Sequence, residues 1–249
     1  MADKEKLRWK IVSIWGDYYW KDAPIEESID YVFQRIPKEV KCEKDIESIV
    51  NEDLNLEMPL NKPQWRMWYQ ENYQDKYSIV IYKAHHSLGD GVSSMNYHMG
   101  QGDTWDNSAL IPIRKVSFFE KLYMRLSFVF YIPRVIIRFL TIKQDRSILH
   151  DGVRKLSGNK IAATSTDILF KDIKQASKAK GITINDLVTS CTATGLKQYF
   201  NLKGDKSKSI NLVIPANIRF EHYGSWENVK FENKFAPVPL VIPLNENLE

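Results

Sequence analysis

Cysteine is scarce in this sequence. Cys42 and Cys191 lie far apart and in no CxxC spacing, which excludes a disulfide framework and predicts reduced thiols in a cytosol-facing protein. An excess of one charge is missing too. The 35 basic and 31 acidic residues are interspersed, so a net charge of +4 gives no argument for nucleic acid, and no RNA- or DNA-binding motif is present. The opening, MADKEKLRWK, lacks the apolar core of a signal peptide. Long apolar runs are also absent: the charge-free stretch Leu126 to Pro133 is far shorter than the ~20 residues a spanning helix requires. There is no internal repeat and no low-complexity tract. What remains is a chain of 249 residues, 43% hydrophobic and 27% charged, long enough for one large domain or two modest ones.

Periodicity places the elements. RWKIVSIWG (8–16) predicts a strand, followed by a loop, DYYWKDAP. A helix is expected over KDIESIVNEDLN, its acidic residues forming a solvated face. MPLNKPQWRMW carries two prolines and reads as an irregular connection. YSIVIYKA (77–84), β-branched and aromatic, predicts the clearest strand. Gly89-Asp90-Gly91 then turns the chain into a helix opening at VSSMNYHMG.

Residues 116–142 are rich in Phe, Tyr, Ile and Leu, with Arg125, Arg134 and Arg138 among them. They fit either an interfacial amphipathic segment with snorkelling arginines or a linker helix packed on the protein, and both readings stand. Beyond them, IAATSTDILF (161–170) reads as a strand, KDIKQASKAK as a helix closed by Gly181, and LVTSCTATGLKQYF as a second helix. INLVIPANIR (210–219) reads as a strand, and NKFAPVPLVIPL as an edge strand because of its prolines. The fold class is mixed α/β. A lobe boundary falls near residues 105–155, dividing the chain into 1–105, a crossover linker over 106–155, and 156–249.

The chemistry concentrates in YKAHHSLGDG (82–91), where two histidines leave the carboxyl end of a strand. A histidine there can take the proton of an alcohol or amine attacking a thioester, provided its other ring nitrogen is held by an acceptor. A metal site would need three convergent ligands from His85, His86, Asp90 and His98, but adjacent residues at a strand end point to opposite faces. The third reading is two histidines that merely end a strand.

The motif is longer than HxxxD, and HHSLGDG resembles the HHxxxDG signature of the wax ester synthase/diacylglycerol acyltransferase family, within the CoA-dependent acyltransferases. NKPQW (61–65) resembles the family's Pro-Leu-Trp element, with Gln64 for leucine. GITINDLVTSCTATGLKQYF resembles its second-lobe segment, in which an Asn-Asp pair, here Asn185-Asp186, opens a helix. IPANIR, ending at Arg219, resembles the strand before a later loop. ENKFAPVPLVIP resembles the Gly-Asn-(Arg/Lys)-Phe-Ala element, with Glu232 for glycine and Asn233 in place.

The resemblance implies a two-lobe, chloramphenicol-acetyltransferase-like sandwich, of which this chain covers the middle and leaves both lobes incomplete. It implies an O-acyltransferase joining the acyl group of acyl-CoA to a long-chain alcohol or diacylglycerol, with neither cofactor nor metal and acyl-CoA as co-substrate. His86 would be the general base, Asp90 the residue shaping the loop, His85 a structural neighbour, and Gly91 a point of close backbone or substrate approach. Asn185 and Asp186 would face the interface between lobes, although Asn185 is also a good helix cap. Cys191 would be core. The implied location is the cytoplasmic face of the endoplasmic reticulum or plasma membrane. A partner chain or second copy would complete the fold. A chain that kept the fold as an inactive fragment or structural subunit is the alternative. A condensation enzyme of secondary metabolism is a third reading, disfavoured because the DFGWG motif of its plant members is absent.

Overall fold

The computed structural model describes residues 2–24, 26, 28–106, 110, 111, 113, 115–141 and 145–245, with the backbone alone at residues 2–4, 138 and 139. The chain is mixed α/β and divides into two compact units. The first comprises Met1–Arg114, Gly158–Thr164 and Asn217–Phe235; the second comprises Lys115–Ser157, Ser165–Ala216 and Ala236–Glu249. Residues 217–235 therefore fold with the first unit although they follow most of the second.

The first unit opens with β1 (Lys10–Ile14) and β2 (Asp17–Lys21), an antiparallel hairpin pairing Ile11 with Trp20. The expected loop at DYYWKDAP is thus partly strand: Trp15 and Gly16 both take positive φ, making the tight turn that returns the chain alongside β1. Helix α1 (Ile29–Val32) and strand β3 (Phe33–Arg35) follow, then α2 (Glu43–Leu54). Strands β4 (Trp65–Tyr73) and β5 (Tyr77–Ala84) pair antiparallel, with β3 parallel on the far side of β4. The irregular connection at MPLNKPQWRMW ends at Trp65, because the residues after the prolines alternate and pair with β5. Helix α3 (Gly91–Met99) leaves the histidine turn. Val32, Trp65, Leu88, Tyr97 and Phe231 form the core beneath it.

The acidic residues of α2 form the expected solvated face only in part: Glu43 and Glu52 are exposed, and Asp53 is not. Asp53 is buried, ion-paired with Arg66, and its main-chain carbonyl accepts Lys83 Nζ at 2.5 Å. Glu47, Asn51 and Asn55 grip the segment 160–164. Asn55 donates to the Lys160 carbonyl (3.0 Å) and accepts from its N–H (2.7 Å). Asn51 does the same for Ala162 (2.9 and 2.6 Å), and Glu47 accepts the N–H and hydroxyl of Thr164 (2.7 and 2.5 Å). This overturns the expected strand at 161–170. Its backbone partners are helix side chains, and four helical residues rise about 6 Å while two extended residues rise about 6.6 Å, so the two repeats keep step.

The second unit holds α4 (Phe118–Thr141), α5 (Phe170–Lys180), α6 (Ile184–Leu202) and a two-stranded sheet of β6 (Ser209–Asn217) and β7 (Phe235–Pro243). Its core is Ala193, Phe200 and Leu244, packed against Leu196, Ile210 and Ile242. Gly181 ends α5 at φ +67, a conformation that costs other L-residues free energy. Cys191 is exposed on α6, not core, because the buried positions of that helix are Ala193 and Phe200. Within α4, most apolar residues are exposed, among them Phe119, Val129, Phe130 and Leu140. No helix among the described residues is long and apolar enough to cross a membrane. Ile142 and the Arg138 side chain lie outside the description.

Candidate active site

Strand β5 delivers His85 and His86 to a turn that local and distant contacts hold together. The His85 N–H donates to the Gln64 carbonyl (2.9 Å), and the His85 carbonyl accepts the Leu88 N–H (3.0 Å). Gln64, the departure from the family's leucine, is itself buried, and its amide donates to the Pro59 and Lys62 carbonyls at 2.9 Å each. Leu88, at 2% exposure, plugs the middle of the motif into the core, a burial worth about 1.5–3 kcal/mol.

Asp90 caps α3, accepting the Ser93 N–H at 3.0 Å. Its carboxylate also receives both guanidinium nitrogens of Arg219, Nη1 at 2.9 Å and Nη2 at 3.0 Å, and the Lys234 N–H at 2.7 Å. Both side chains are almost wholly buried, 3% exposed for Arg219 and 7% for Asp90. Burial alone would push the Asp90 carboxyl upward. The hydrogen bonds from Arg219, Ser93 and Lys234, with the guanidinium charge, outweigh it and hold the carboxyl below its usual range. Arg219 was missed by sequence reasoning beyond its place at the end of IPANIR. An unpaired arginine after an apolar strand was the available signal.

The two histidines have different surroundings. The His85 ring is tethered, Nδ1 to Ser87 Oγ at 2.7 Å. His86 is exposed, and its ring meets the Phe235 ring edge-on, centroids 6.2 Å apart. Among the described residues no group hydrogen-bonds to the His86 ring, so the acceptor expected to hold its second nitrogen is not present; what holds the residue is Asn233, whose amide donates to the His86 carbonyl at 3.2 Å. Both histidines open onto a groove of about 970 Å³, lined mainly by apolar side chains including Ile11, Tyr19, Trp20, Leu54, Leu56 and Met58. Among the described residues no three His, Cys, Asp or Glu side chains are grouped as metal ligands.

Of the two glycines flanking Asp90, Gly89 is the tight one. A Cβ there would lie 3.0 Å from Ser93 Cβ and 3.4 Å from the Glu232 nitrogen, whereas one on Gly91 would meet nothing within 4 Å. The close backbone approach expected at Gly91 therefore occurs two residues earlier. Gly89→Ala is expected to cost about 1–3 kcal/mol in urea unfolding by overpacking. Gly91→Ala, in the first turn of α3, is expected to be neutral or to gain up to about 1 kcal/mol.

His85, His86, Asp90, Gly91 and Asn233 thus belong to the first unit, and Asn185 and Asp186 to the second. The cap of α6 is Thr183 rather than Asn185. Thr183 accepts the Asp186 N–H, and Asp186 Oδ2 accepts the Thr183 hydroxyl (2.6 Å) and N–H (3.0 Å), which hold that carboxyl below its ordinary range. Asn185 lines a cleft of about 310 Å³ with Thr189, Ser190, Ile214 and Leu240.

No protein-family model matches the chain. Among curated proteins it is similar to wax ester synthase/diacylglycerol acyltransferase 1 of Arabidopsis thaliana, 25% identical over 189 residues, covering 70% of this chain and 39% of that protein. Wax ester synthase/diacylglycerol acyltransferase 11 of the same plant is 26% identical over 189 residues, covering 65% and 38%. The chain therefore spans about two fifths of the length of these relatives. Among solved structures, the wax ester synthase/diacylglycerol acyltransferase from Marinobacter aquaeolei VT8 superposes with a TM-score of 0.54 at 22% identity, over 85% of this chain and 51% of that one. The first condensation domain of the calcium-dependent antibiotic synthetase gives 0.55 at 13% identity, over 97% and 58%. By sequence the chain is similar to wax ester synthase/diacylglycerol acyltransferases over about two fifths of their length, and by structure it shares the fold of the Marinobacter enzyme and of the condensation domain.

Proposed function

We propose that this chain carries the base-bearing part of an O-acyltransferase that moves a fatty acyl group from acyl-CoA to a long-chain alcohol or diacylglycerol. The observation that carries the reading is the placement of His86 at the wall of an apolar groove, on a turn locked by the buried Asp90–Arg219 pair. His86 removes the hydroxyl proton as the alcohol oxygen attacks the thioester carbonyl carbon. The new C–O bond forms, the tetrahedral oxyanion collapses, the C–S bond breaks, and the departing CoA thiolate takes the proton back. No cofactor takes part. The test is release of CoA thiol from palmitoyl-CoA on addition of hexadecanol or dioleoylglycerol. A chain that releases none by itself and is recovered in fixed ratio within a larger assembly would instead be a structural subunit.

The same reading places the chain on the cytoplasmic face of a membrane. Along α4, Tyr123, Ser127, Tyr131, Arg134 and Thr141 recur at steps of three, four or seven and share one face, and most of the remainder is apolar and exposed, interrupted by Lys121 and Arg125. Lys121, Arg125, Arg134 and Arg138 against Glu120 make the segment cationic. Flotation with vesicles containing anionic lipid is expected. A Val129→Asp/Ile136→Asp variant is expected to bind at least about tenfold more weakly, since each apolar side chain contributes about 1.5–3 kcal/mol when buried. Equal flotation of both proteins would remove α4 as the anchor.

A further inference from the structure

The groove beside His86 is lined by residues of β1, β2 and β5 and by two pieces that are not strands. One part of the lining is the run from Leu54 to Leu60, and another is Gly158 and Lys160. Both are fastened by polar contacts. Lys83, two residues before His85, donates Nζ to the Asp53 and Leu56 carbonyls at 2.5 and 2.7 Å, fixing the end of α2 to β5. Asn55, at that same helix end, also lines the groove while holding both backbone groups of Lys160.

The ladder formed by Glu47, Asn51 and Asn55 stands apart from the apolar packing of its helix. The core contacts of α2 are made by Ile46 and Ile49, with Val40 and Ile79. Asn51 and Asn55 use donor and acceptor together on one residue each, an arrangement that fixes the partner's distance as well as its direction. No other secondary structure holds residues 160–164 in place: they form no strand, and their described backbone bonds run to these three side chains.

We propose that this ladder is a positioning device for the groove: by holding the strap 160–164 against α2 it sets how wide a hydrocarbon chain fits beside His86. The inference rests on the acyl-transfer reading. It makes Asn51 and Asn55 determinants of chain selection, acting through the strap. A loosened strap lets Lys160 and Gly158 withdraw, so the groove admits a branched chain that the intact strap rejects.

The experiment compares binding of palmitoyl-CoA and a methyl-branched palmitoyl-CoA by titration calorimetry, with initial rates measured alongside. The parent is expected to prefer the straight ester by about tenfold, the scale on which an apolar pocket discriminates one methyl group. Asn51→Ala/Asn55→Ala is expected to lose most of that preference, with a larger change in KM for the straight ester than in kcat. Ala162→Pro removes the N–H that Asn51 Oδ1 accepts, one rung from the strap's side, and is expected to act in the same direction. If the parent shows the preference and both folded variants keep it, the ladder has no such role and the acyl-transfer reading stands. If the parent binds neither ester, that reading fails and the inference with it. If neither variant folds by circular dichroism, the ladder serves the fold itself and a role confined to the groove is overturned.

Discussion

Asp90→Ala is expected to lower the unfolding free energy by about 3 kcal/mol, the lower end for a broken buried pair, because it removes the bidentate carboxylate from a buried guanidinium and leaves Glu232 Oε1 3.6 Å from Arg219 Nε. The size follows from geometry. Arg219 is 3% exposed, so water cannot replace the lost partner, and both of its terminal nitrogens point at the same carboxylate. Arg219→Met should cost a comparable amount, since Asp90 would keep only the N–H donors of Ser93 and Lys234. The double variant should lose clearly less than the sum, as contacting residues couple. Urea titrations of the four proteins measure this, and a loss below about 1 kcal/mol in both single variants would place the pair among interactions that merely break even.

The pH dependence has a defined sign. The folded-state pKa of Asp90 is depressed, so its contribution is present at neutral pH, above the ordinary aspartate value of about 4. That contribution is lost as pH falls from the ordinary value through the depressed folded one. The parent should therefore lose stability in that acidic window, and Asp90→Ala should lack that component of the slope.

His86→Ala is expected to reduce acyl transfer by about 10²–10⁴-fold, the span that a positioned general base contributes. His85→Ala should have a smaller effect. Ser87 already engages His85 Nδ1, whereas among the described residues no such bond reaches the His86 ring, which meets Phe235 edge-on, and His86 lines the groove. Asn233 holds the His86 main chain, not its ring, so Asn233→Ala should lower the rate by displacing the base. Parallel rates of CoA thiol release decide between the histidines. An active His86→Ala protein with an inactive His85→Ala protein would exchange their roles.

Some of this was legible along the chain because its causes are local. Tyr77–Ala84 alternates and is β-branched, so the strand that ends at the histidines needed no distant partner to be recognised. Asp90 is a good N-cap residue and sits one residue before α3, so the turn announced itself too. The hairpin turn at Trp15-Gly16 was not legible, since tryptophan rarely takes positive φ and the strands beside it alternate weakly. Asn185 was read as a cap because it is a good cap type, but Thr183 with Asp186 three residues later forms the reciprocal box.

The sequence alone determined the strand–turn–helix that presents His85 and His86, and the capped helices α5 and α6, because each depends on residues within a few positions of one another. Only the tertiary structure decided that Arg219, 129 residues away, closes on Asp90, and that α2 grips a strap more than 100 residues downstream. A charge pair leaves no periodicity in a sequence. The strap leaves even less, because α2 recognises mainly its backbone, which every residue type shares.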